Sequence, residues 1–317
     1  MKQRDSLVLL CISLICIAFS YENKFSYVNT SGIEKISLSN DVELIEINGG
    51  YTRLAKMGEG HTVEVGMPEL PLFSTYYQLD PTKTYGFQLE ILDSYIIENI
   101  NVVPHQGMET WDIESINIIN EEVYNSYDPY PVQNMTVSDH IQGRGIAFVN
   151  INVIPYKYYP KYQRLEIYTS IDIQVTETGE NAYYELNQPI RSHIFDEFYK
   201  DIIINFEYSD RLDDYQASAI LYIGGGSSLD NTYVQELIDW RHKQGYIVYT
   251  ATESEVGGSS ASTSEIKNYI SNMYFNYDNP PEIVGLIGDT GGSYSLPNYN
   301  HSWGGYQGAT DFDYTQL

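Results

Sequence analysis

The stretch LEIYTSIDIQV, residues 165–175, alternates apolar and polar side chains along its whole length. Successive side chains on a β-strand point to opposite faces, so this pattern predicts a strand with one core face and one solvent face. The predicted core face comprises Leu165, Ile167, Thr169, Ile171, Ile173 and Val175. The predicted solvent face comprises Glu166, Tyr168, Ser170, Asp172 and Gln174. Such a strand must lie in a sheet whose apolar face a second layer covers.

Several neighbouring stretches carry the same signal. IAFVNINVIPY, residues 146–156, also alternates, and YYPKYQR supplies Pro160 for a turn, so the two alternating stretches are predicted to form a hairpin. VELIEI, FSTYYQL and YGFQLEIL are shorter strand candidates separated by Gly, Pro, Asn or Asp. From about residue 41 to 187 the sequence therefore predicts a β-rich antiparallel domain, sandwich-like or barrel-like.

From about Ser218 the pattern changes to alternating strands and helices. The predicted order is the strand AILYIGGG, a helix, the strand YIVYTA, a second helix and the strand EIVGLIGD. Gly245 offers a left-handed cap to the first helix, and Ser262-Thr263-Ser264-Glu265 spells a capping box for the second. Such alternation predicts a parallel sheet with right-handed crossovers, so the whole chain is expected to be a multidomain α+β protein.

The predicted boundary lies near residues 205–217, where the patterning changes. The segment that leads into this boundary contains Arg191, Lys200 and Arg211, although the whole chain has only 17 basic residues. Acidic and small polar residues follow it. A plain linker and a segment cut during maturation both fit this composition. The sequence alone leaves the two open.

The N-terminus has the features of a secretory signal peptide. Lys2 and Arg4 precede an apolar run from residue 7 to 19, and Ala18-Phe19-Ser20 places small residues where a signal peptidase reads. The run is too short to span a membrane, which takes roughly 20 apolar residues. Residues 1–20 are therefore predicted to be removed after Ser20, and the protein is expected to be secreted. Both cysteines, Cys11 and Cys16, would leave with this peptide.

The composition of the chain limits the classes of partner that it is expected to bind. The formal net charge of -26 argues against nucleic acid and anionic lipid, which attract basic surfaces, and favours solubility and cation binding. Without cysteine after residue 16 there is no disulfide framework, so each domain depends on its hydrophobic core. The content of 42% hydrophobic residues, with 31 tyrosines, is sufficient for such cores.

Candidate ligand-binding residues lie near the predicted parallel sheet. Gly224-Gly225-Gly226 occupies the position of a phosphate loop but matches no phosphate-binding spacing, so a tight turn is the favoured interpretation. Asp289 follows the third strand, where ligands of open α/β sheets gather. It either coordinates a cation such as calcium or caps a turn. Asp311 and Asp313 have the same two interpretations.

Other catalytic and metal motifs are missing from the sequence. The six histidines show no H-E-x-x-H or similar short spacing, which disfavours zinc, and there is no G-x-S-x-G for a serine hydrolase. The motifs therefore assign no catalytic residue.

Several longer stretches carry a family resemblance. ELIDWRHKQGYIVYTA, SEIKNYISNMYF and PPEIVGLIGDT, in this order, resemble the opening of the catalytic domain of gingipain-type cysteine peptidases, family C25. Upstream, GMPELPLFSTYYQLD and RGIAFVNINVIPYKYYPKYQRLEIYTSIDIQV resemble the propeptide of that family. The resemblance covers most of the chain after the signal peptide.

The resemblance implies a cysteine endopeptidase zymogen that acts on peptide or protein substrates. Residues 21–210 would be a β-rich propeptide that packs on and inhibits a caspase-like α/β catalytic domain, of which residues 211–317 are the first part. The family's catalytic histidine and cysteine would fall beyond residue 317, so no residue here is assigned a catalytic role. Maturation is expected near Lys200, Arg211 or the intervening INFEYSD.

The resemblance also implies a structural calcium ion at Asp289, with most other ligands supplied from further downstream. A function of a different class stays open. The chain could instead be a complete, non-catalytic secreted protein that uses the propeptide and half an α/β domain for binding or inhibition.

Overall fold

The computed structural model describes residues 25–30, 32–47, 49–55, 60–107, 118–181, 190–208, 214–258, 260–303 and 306–317. The predicted signal peptide and Arg211 lie outside these ranges. The chain divides into two compact units: unit 1 is Met1–Asn187 with Lys200–Glu207, and unit 2 is Gln188–Tyr199 with Tyr208–Leu317. Within the described ranges, no helix has the length and hydrophobicity needed to cross a membrane.

Unit 1 is built almost entirely from antiparallel strands. Its strands are β1 Phe25–Thr30, β2 Ile33–Ser39, β3 Glu43–Ile47, β4 Tyr51–Ala55, β5 Gly60–His61, β6 Pro71–Leu79, β7 Lys83–Glu98, β8 Met135–Val137, β9 Ile141–Gly143, β10 Ile146–Val153, β11 Tyr156–Tyr159 and β12 Arg164–Glu180. A short helix, α1, spans Glu121–Tyr124, and a 3-10 turn spans Pro160–Tyr162.

These strands form two five-stranded sheets and a separate hairpin. One sheet has the order β1-β2-β12-β11, with β7 also paired to β12; the other has the order β5-β6-β10-β8, with β9 also paired to β10. β3 and β4 form the hairpin. One hydrophobic cluster takes buried side chains from both large sheets, among them Ile36 and Ile173 from the first and Phe73 and Ile151 from the second. Two sheets that share one core are a β-sandwich, which confirms the predicted antiparallel architecture.

The long strand β12 follows the predicted alternation for most of its core face. Leu165, Ile167, Ile171, Ile173 and Val175 are buried, while Thr169 is only half-buried. The predicted solvent face is wrong at two positions, because Tyr168 and Asp172 are also buried. The pairing of β12 with β7 is irregular between Tyr168 and Ile171, and such an irregularity shifts the alternation locally.

The predicted hairpin is correct in its turn but wrong in one strand. β11 pairs with β12 around the turn at Pro160, whereas β10 pairs with β6, β8 and β9 in the other sheet. The stretch IAFVNINVIPY therefore contains two strands, and the chain passes from one sheet to the other at Ile154-Pro155. Alternation alone cannot locate such a crossing, because both strands have one face on the shared core.

Unit 2 contains a three-stranded parallel sheet. Its strands are β13 Ala219–Gly224, β14 Ile247–Thr252 and β15 Ile283–Ile287, in the order β14-β13-β15. Its helices are α3 Thr232–Lys243, α4 Glu253–Val256 and α5 Thr263–Asn276, preceded by α2 His193–Ile202, within which the division into units falls. A hairpin of β16 Tyr299–Trp303 and β17 Tyr306–Thr310 follows, and 3-10 turns span Ser228–Asp230, Gly292–Tyr294 and Phe312–Thr315.

The strand and helix order of unit 2 is as predicted. β13 pairs in parallel with both neighbours and is buried throughout, so it is the centre of the sheet. Gly245 has φ of +93°, the left-handed conformation expected after α3. Ser262 and Glu265 make the reciprocal hydrogen bonds of a capping box at the start of α5. The short helix α4 was not predicted, because four residues carry no periodic signal.

Candidate functional site

The carboxyl ends of the three parallel strands are the first place to look for a ligand site in unit 2. The space beside the glycine run, Gly224-Gly225-Gly226, is filled by the protein's own backbone. A Cβ added to Gly225 would lie 2.4 Å from the carbonyl oxygen of Tyr294 and 2.7 Å from that of Ser295, and one added to Gly226 would lie 2.3 Å from that of Ser293. The nitrogen of Gly225 also donates to the carbonyl of Ile287 at 3.1 Å. The run therefore permits close packing of a loop, which agrees with the tight-turn interpretation.

Asp289 lies at this edge and its side chain is exposed. Its Oδ1 accepts a hydrogen bond from the backbone nitrogen of Thr290 at 2.6 Å. Its backbone nitrogen donates to Tyr294 and its carbonyl accepts from Leu296. These contacts are those of a turn-capping aspartate. Calcium requires six to eight oxygen ligands, and among the described residues Asp289 belongs to no group of three or more histidine, cysteine or acidic side chains at metal-binding distance. The residues present do not by themselves fit the ion.

A histidine and a carboxylate meet on the surface of unit 2. Nε2 of His301, on β16, lies 2.7 Å from Oδ2 of Asp313. Asp313 lies in the 3-10 turn Phe312–Thr315. Asp311, the other predicted candidate, immediately precedes this turn and is exposed. The side chain of His301 is 59% exposed, so this pair is a solvent-accessible hydrogen bond. Sequence analysis did not pair these residues.

A second cluster lies in unit 1, and sequence analysis missed it. A ring nitrogen of His61, a ring nitrogen of His105 and a carboxylate oxygen of Glu69 all lie within 4.8 Å of one another. Glu69 and His105 are buried, whereas His61 is exposed. Nδ1 of His105 lies 3.1 Å from Oε2 of Glu69, and Nε of Arg53 lies 2.9 Å from Oε1 of the same carboxylate.

Backbone hydrogen bonds between three segments hold this cluster in place. Glu69 donates from its nitrogen to the carbonyl of Val103 at 2.8 Å, and His105 donates to the carbonyl of Met67 at 2.8 Å. The strand β5 places His61 opposite Pro71. Because the three ligand-type residues stand on three paired segments, backbone pairing fixes the relative positions of their Cα atoms.

Gly66 makes the turn between these segments possible. It has φ of +81°, and a Cβ there would lie 3.0 Å from the backbone nitrogen of Asn120. Its own nitrogen donates to the carbonyl of His105 at 2.7 Å. A side chain at this position would therefore disturb the segment that carries Glu69.

A cavity of about 560 Å³ opens beside His61. Glu64, Asp128 and Tyr130 are among its other lining residues. Burial raises the pKa of Tyr130, so its hydroxyl stays neutral at physiological pH. The cavity thus combines apolar side chains such as Leu72 with the carboxylates of Glu64 and Asp128 and the imidazole of His61.

Two family models match consecutive segments of the chain. A model described as Propeptide_C25 matches residues 30–212, which is more than half of the chain. The model of peptidase family C25 matches residues 213–317. The chain belongs to the C25 peptidase family. It combines a propeptide of that family with the beginning of its peptidase domain, so the recognised resemblance is confirmed.

Curated relatives from Porphyromonas gingivalis agree with this assignment. Gingipain R1 is 24% identical over 233 residues, which cover 71% of this chain and 23% of that protein. Gingipain R2 is 23% identical over 255 residues, which cover 77% of this chain and 34% of that protein. The chain thus spans about a quarter to a third of the length of these relatives.

Two solved structures are also similar. The complex of Porphyromonas gingivalis RgpB pro- and mature domains matches with a TM-score of 0.47 and 21% identity, covering 58% of this chain and 99% of that one. The structure of gingipain K from the same organism, titled for its zymogenic latency, matches with a TM-score of 0.40 and 18% identity, covering 51% of this chain and 96% of that one.

Proposed function

We propose that this chain is the propeptide and the first part of the catalytic domain of a secreted cysteine endopeptidase zymogen. The observation that carries the proposal is the succession of the two family matches, propeptide at 30–212 and peptidase at 213–317. The proposed division is a signal peptide at 1–20, a propeptide at 21–210 and a catalytic segment at 211–317. The parallel sheet of unit 2 supports an α/β catalytic domain.

The chemistry proposed for the whole enzyme is hydrolysis of an amide bond by a cysteine thiolate paired with histidine. Cys11 and Cys16, the two cysteines of the chain, lie in the proposed signal peptide. On this proposal the nucleophile belongs to a part of the peptidase domain that residues 213–317 do not include, and we expect the histidine base in that part as well. What residues 213–317 contribute is the central strand β13 and its neighbours, on which the rest of such a domain is built.

The proposed role of residues 21–210 is to keep the peptidase inactive until the junction is cut. Lys200 lies in α2 and a protease cleaves extended chain more readily than helix, so this site requires local unfolding. Residues 206–208 have no helix or strand. We expect the cut between residue 206 and Arg211 in preference to Lys200.

Expression of the complete reading frame in a secreting host tests this function. We expect secreted peptidase whose activity is lost on thiol alkylation, rises as residues 21–210 are removed, and accompanies a new N-terminus between residues 207 and 212. Edman sequencing and hydrolysis of a peptide library measure these outcomes. Residues 21–317 alone are the matched control and should hydrolyse nothing in a thiol-dependent way. A reading frame that stops after Leu317 would instead favour the non-catalytic binding protein.

A structural calcium ion at Asp289 is part of this proposal, with its other ligands drawn from elsewhere in the complete domain. In the complete enzyme, we expect Asp289→Asn to remove the rise in Tm that calcium produces. Asp230→Asn, a change at an exposed carboxylate in the same unit, should retain that rise. Thermal unfolding with calcium and with a chelator measures the effect. Equal calcium-dependent shifts in the two variants would exclude Asp289 as a ligand.

A further inference from the structure

The cluster of His61, Glu69 and His105 is the one group among the described residues whose histidine and acidic donor atoms are spaced for a metal ion. We propose that it is a binding site for a zinc-class divalent ion within the propeptide. Two imidazoles and one carboxylate are a ligand set found in zinc proteins. Sequence motifs do not reveal this set, because Glu69 is 8 positions from His61 and 36 positions from His105, whereas the motifs require ligands on one helical turn.

The hydrogen bonds of the two rings indicate which nitrogen of each would bind a metal ion. Nδ1 of His105 lies 3.1 Å from Oε2 of Glu69, close to the separation of two ligands of one tetrahedral ion. An ion bound between them would take the place of the proton that Nδ1 donates to the carboxylate, and this proton would be released to solvent. Nδ1 of His61 lies 2.9 Å from the carbonyl oxygen of Thr62, which only accepts, so the lone pair of that ring lies on Nε2. A histidine oriented by a backbone carbonyl is a usual arrangement behind a metal ligand.

The distances allow coordination after a small adjustment. Ligand atoms about 2.0–2.1 Å from a tetrahedral ion are about 3.3 Å from one another, and the donors here lie within 4.8 Å. His61 is exposed, so its ring moves without disturbing the core. Glu69 and His105 are buried and stay in place. The site is therefore half preorganised, and one mobile ligand closes it.

The charges explain why the cluster is stable without an ion and which ion it selects. Arg53 neutralises Glu69, so the buried carboxylate does not depend on metal. Two imidazole nitrogens favour ions such as zinc over calcium or magnesium, which prefer oxygen ligands. The cavity beside His61 supplies a route from solvent, and its carboxylates Glu64 and Asp128 attract a cation.

An ion at this position would join β5, the segment around Glu69 and the segment around His105. Ligands that bind only the folded state stabilise it by mass action. Zinc is therefore inferred to raise the stability of the propeptide. This inference does not depend on the peptidase activity proposed above.

The test uses the untagged full chain carrying Cys11→Ser and Cys16→Ser, which removes the two thiols that would also bind zinc. Competition with a chromogenic chelator should show one zinc ion per chain. His61→Asn should weaken that affinity by at least about 10-fold, since it removes a ligand rather than an outer contact. His140→Asn changes an exposed histidine of the same unit and should bind zinc as the parent does.

Two further readouts separate coordination from surface adsorption. Cobalt(II) in the parent should give the intense visible absorption of a tetrahedral ion, which His61→Asn loses. The Tm of the parent should rise with zinc concentration, and that of His61→Asn should not. Because His61 is exposed, its variant is expected to fold as the parent does, which circular dichroism checks. Equal zinc affinity in the parent and His61→Asn, or no saturable binding by the parent, would overturn the proposal.

Discussion

Replacing Gly225 by alanine is expected to destabilise unit 2 by about 3 kcal/mol, the upper part of the range for overpacking. The added Cβ would meet the carbonyl oxygens of Tyr294 and Ser295 at 2.4 Å and 2.7 Å, where real Cβ contacts essentially never occur. Both contacts are with backbone, so no side-chain rotation relieves them. The loop from Ser293 to Ser295 must move, and its packing against the ends of β13 and β15 is lost.

Native-state hydrogen exchange of the β13 amides measures this effect, because it reports the free energy of opening that sheet. Gly291→Ala is the matched control. Gly291 lies in the same loop region, and a Cβ there has no heavy atom within 4 Å. We expect the control to change the free energy by less than about 0.5 kcal/mol, as surface substitutions usually do. Similar values for the two variants would mean that the glycine run is not closely packed.

The same glycine run shows what sequence patterns predict well. Its position after a buried strand and before a helix, together with the wrong spacing for a phosphate loop, predicted a tight turn. The order of elements in unit 2 was equally accessible, since apolar runs, capping boxes and a C-terminal glycine are local signals. The loop that packs on Gly225 could not be predicted from the sequence, because no local signal links residue 225 to residue 294.

The β-sandwich illustrates the opposite limit. Alternation identified six of the twelve strands that the structure describes in unit 1, namely β3, β6, β7, β10, β11 and β12, and most core positions of β12, but it did not assign them to sheets. Strands on either side of one core share the same pattern, so β10 and β11 read as one continuous strand. The pairing depends on contacts between distant residues, such as Ile173 with Ile36.

The candidate metal site fails to appear in the sequence for the same reason. His61 and His105 look isolated, and short-spacing rules therefore disfavoured zinc. Paired segments of the sheet bring them together around Glu69. The family assignment, in contrast, depends on the order of several stretches along the chain and was accessible from the sequence.

Asp172 is the second position where a large effect is expected, and it is a buried carboxylate on the predicted solvent face of β12. Ser37 donates to Oδ1 at 2.6 Å and Lys35 to Oδ2 at 2.9 Å. Burial opposes ionisation, but these two hydrogen bonds outweigh it and hold the pKa of Asp172 below its ordinary value. The pair joins β12 to β2, at the centre of the sheet.

Asp172→Asn is expected to destabilise unit 1 by about 2 kcal/mol at pH 7, typical of losing hydrogen bonds to a charged group. The amide nitrogen of asparagine would face the ammonium group of Lys35. Both groups are hydrogen-bond donors, so the hydrogen bond that Lys35 donates to the carboxylate is lost. Lys35 is 40% exposed, and solvent therefore screens part of the ion pair. Asp139→Asn, at an exposed carboxylate of the same unit, should have no measurable effect.

The pH dependence separates the charge of Asp172 from its shape. Because its folded pKa lies below the unfolded value of about 3.9, its contribution is complete above that value and is lost as the pH falls through the folded pKa. The deficit of Asp172→Asn should thus be constant from pH 8 to pH 5 and shrink below about pH 4, as the wild-type carboxyl takes up its proton. Urea denaturation followed by hydrogen exchange of the β12 amides measures the difference at each pH. A deficit that persists unchanged to pH 2 would show that packing, not the ionised carboxylate, accounts for the loss.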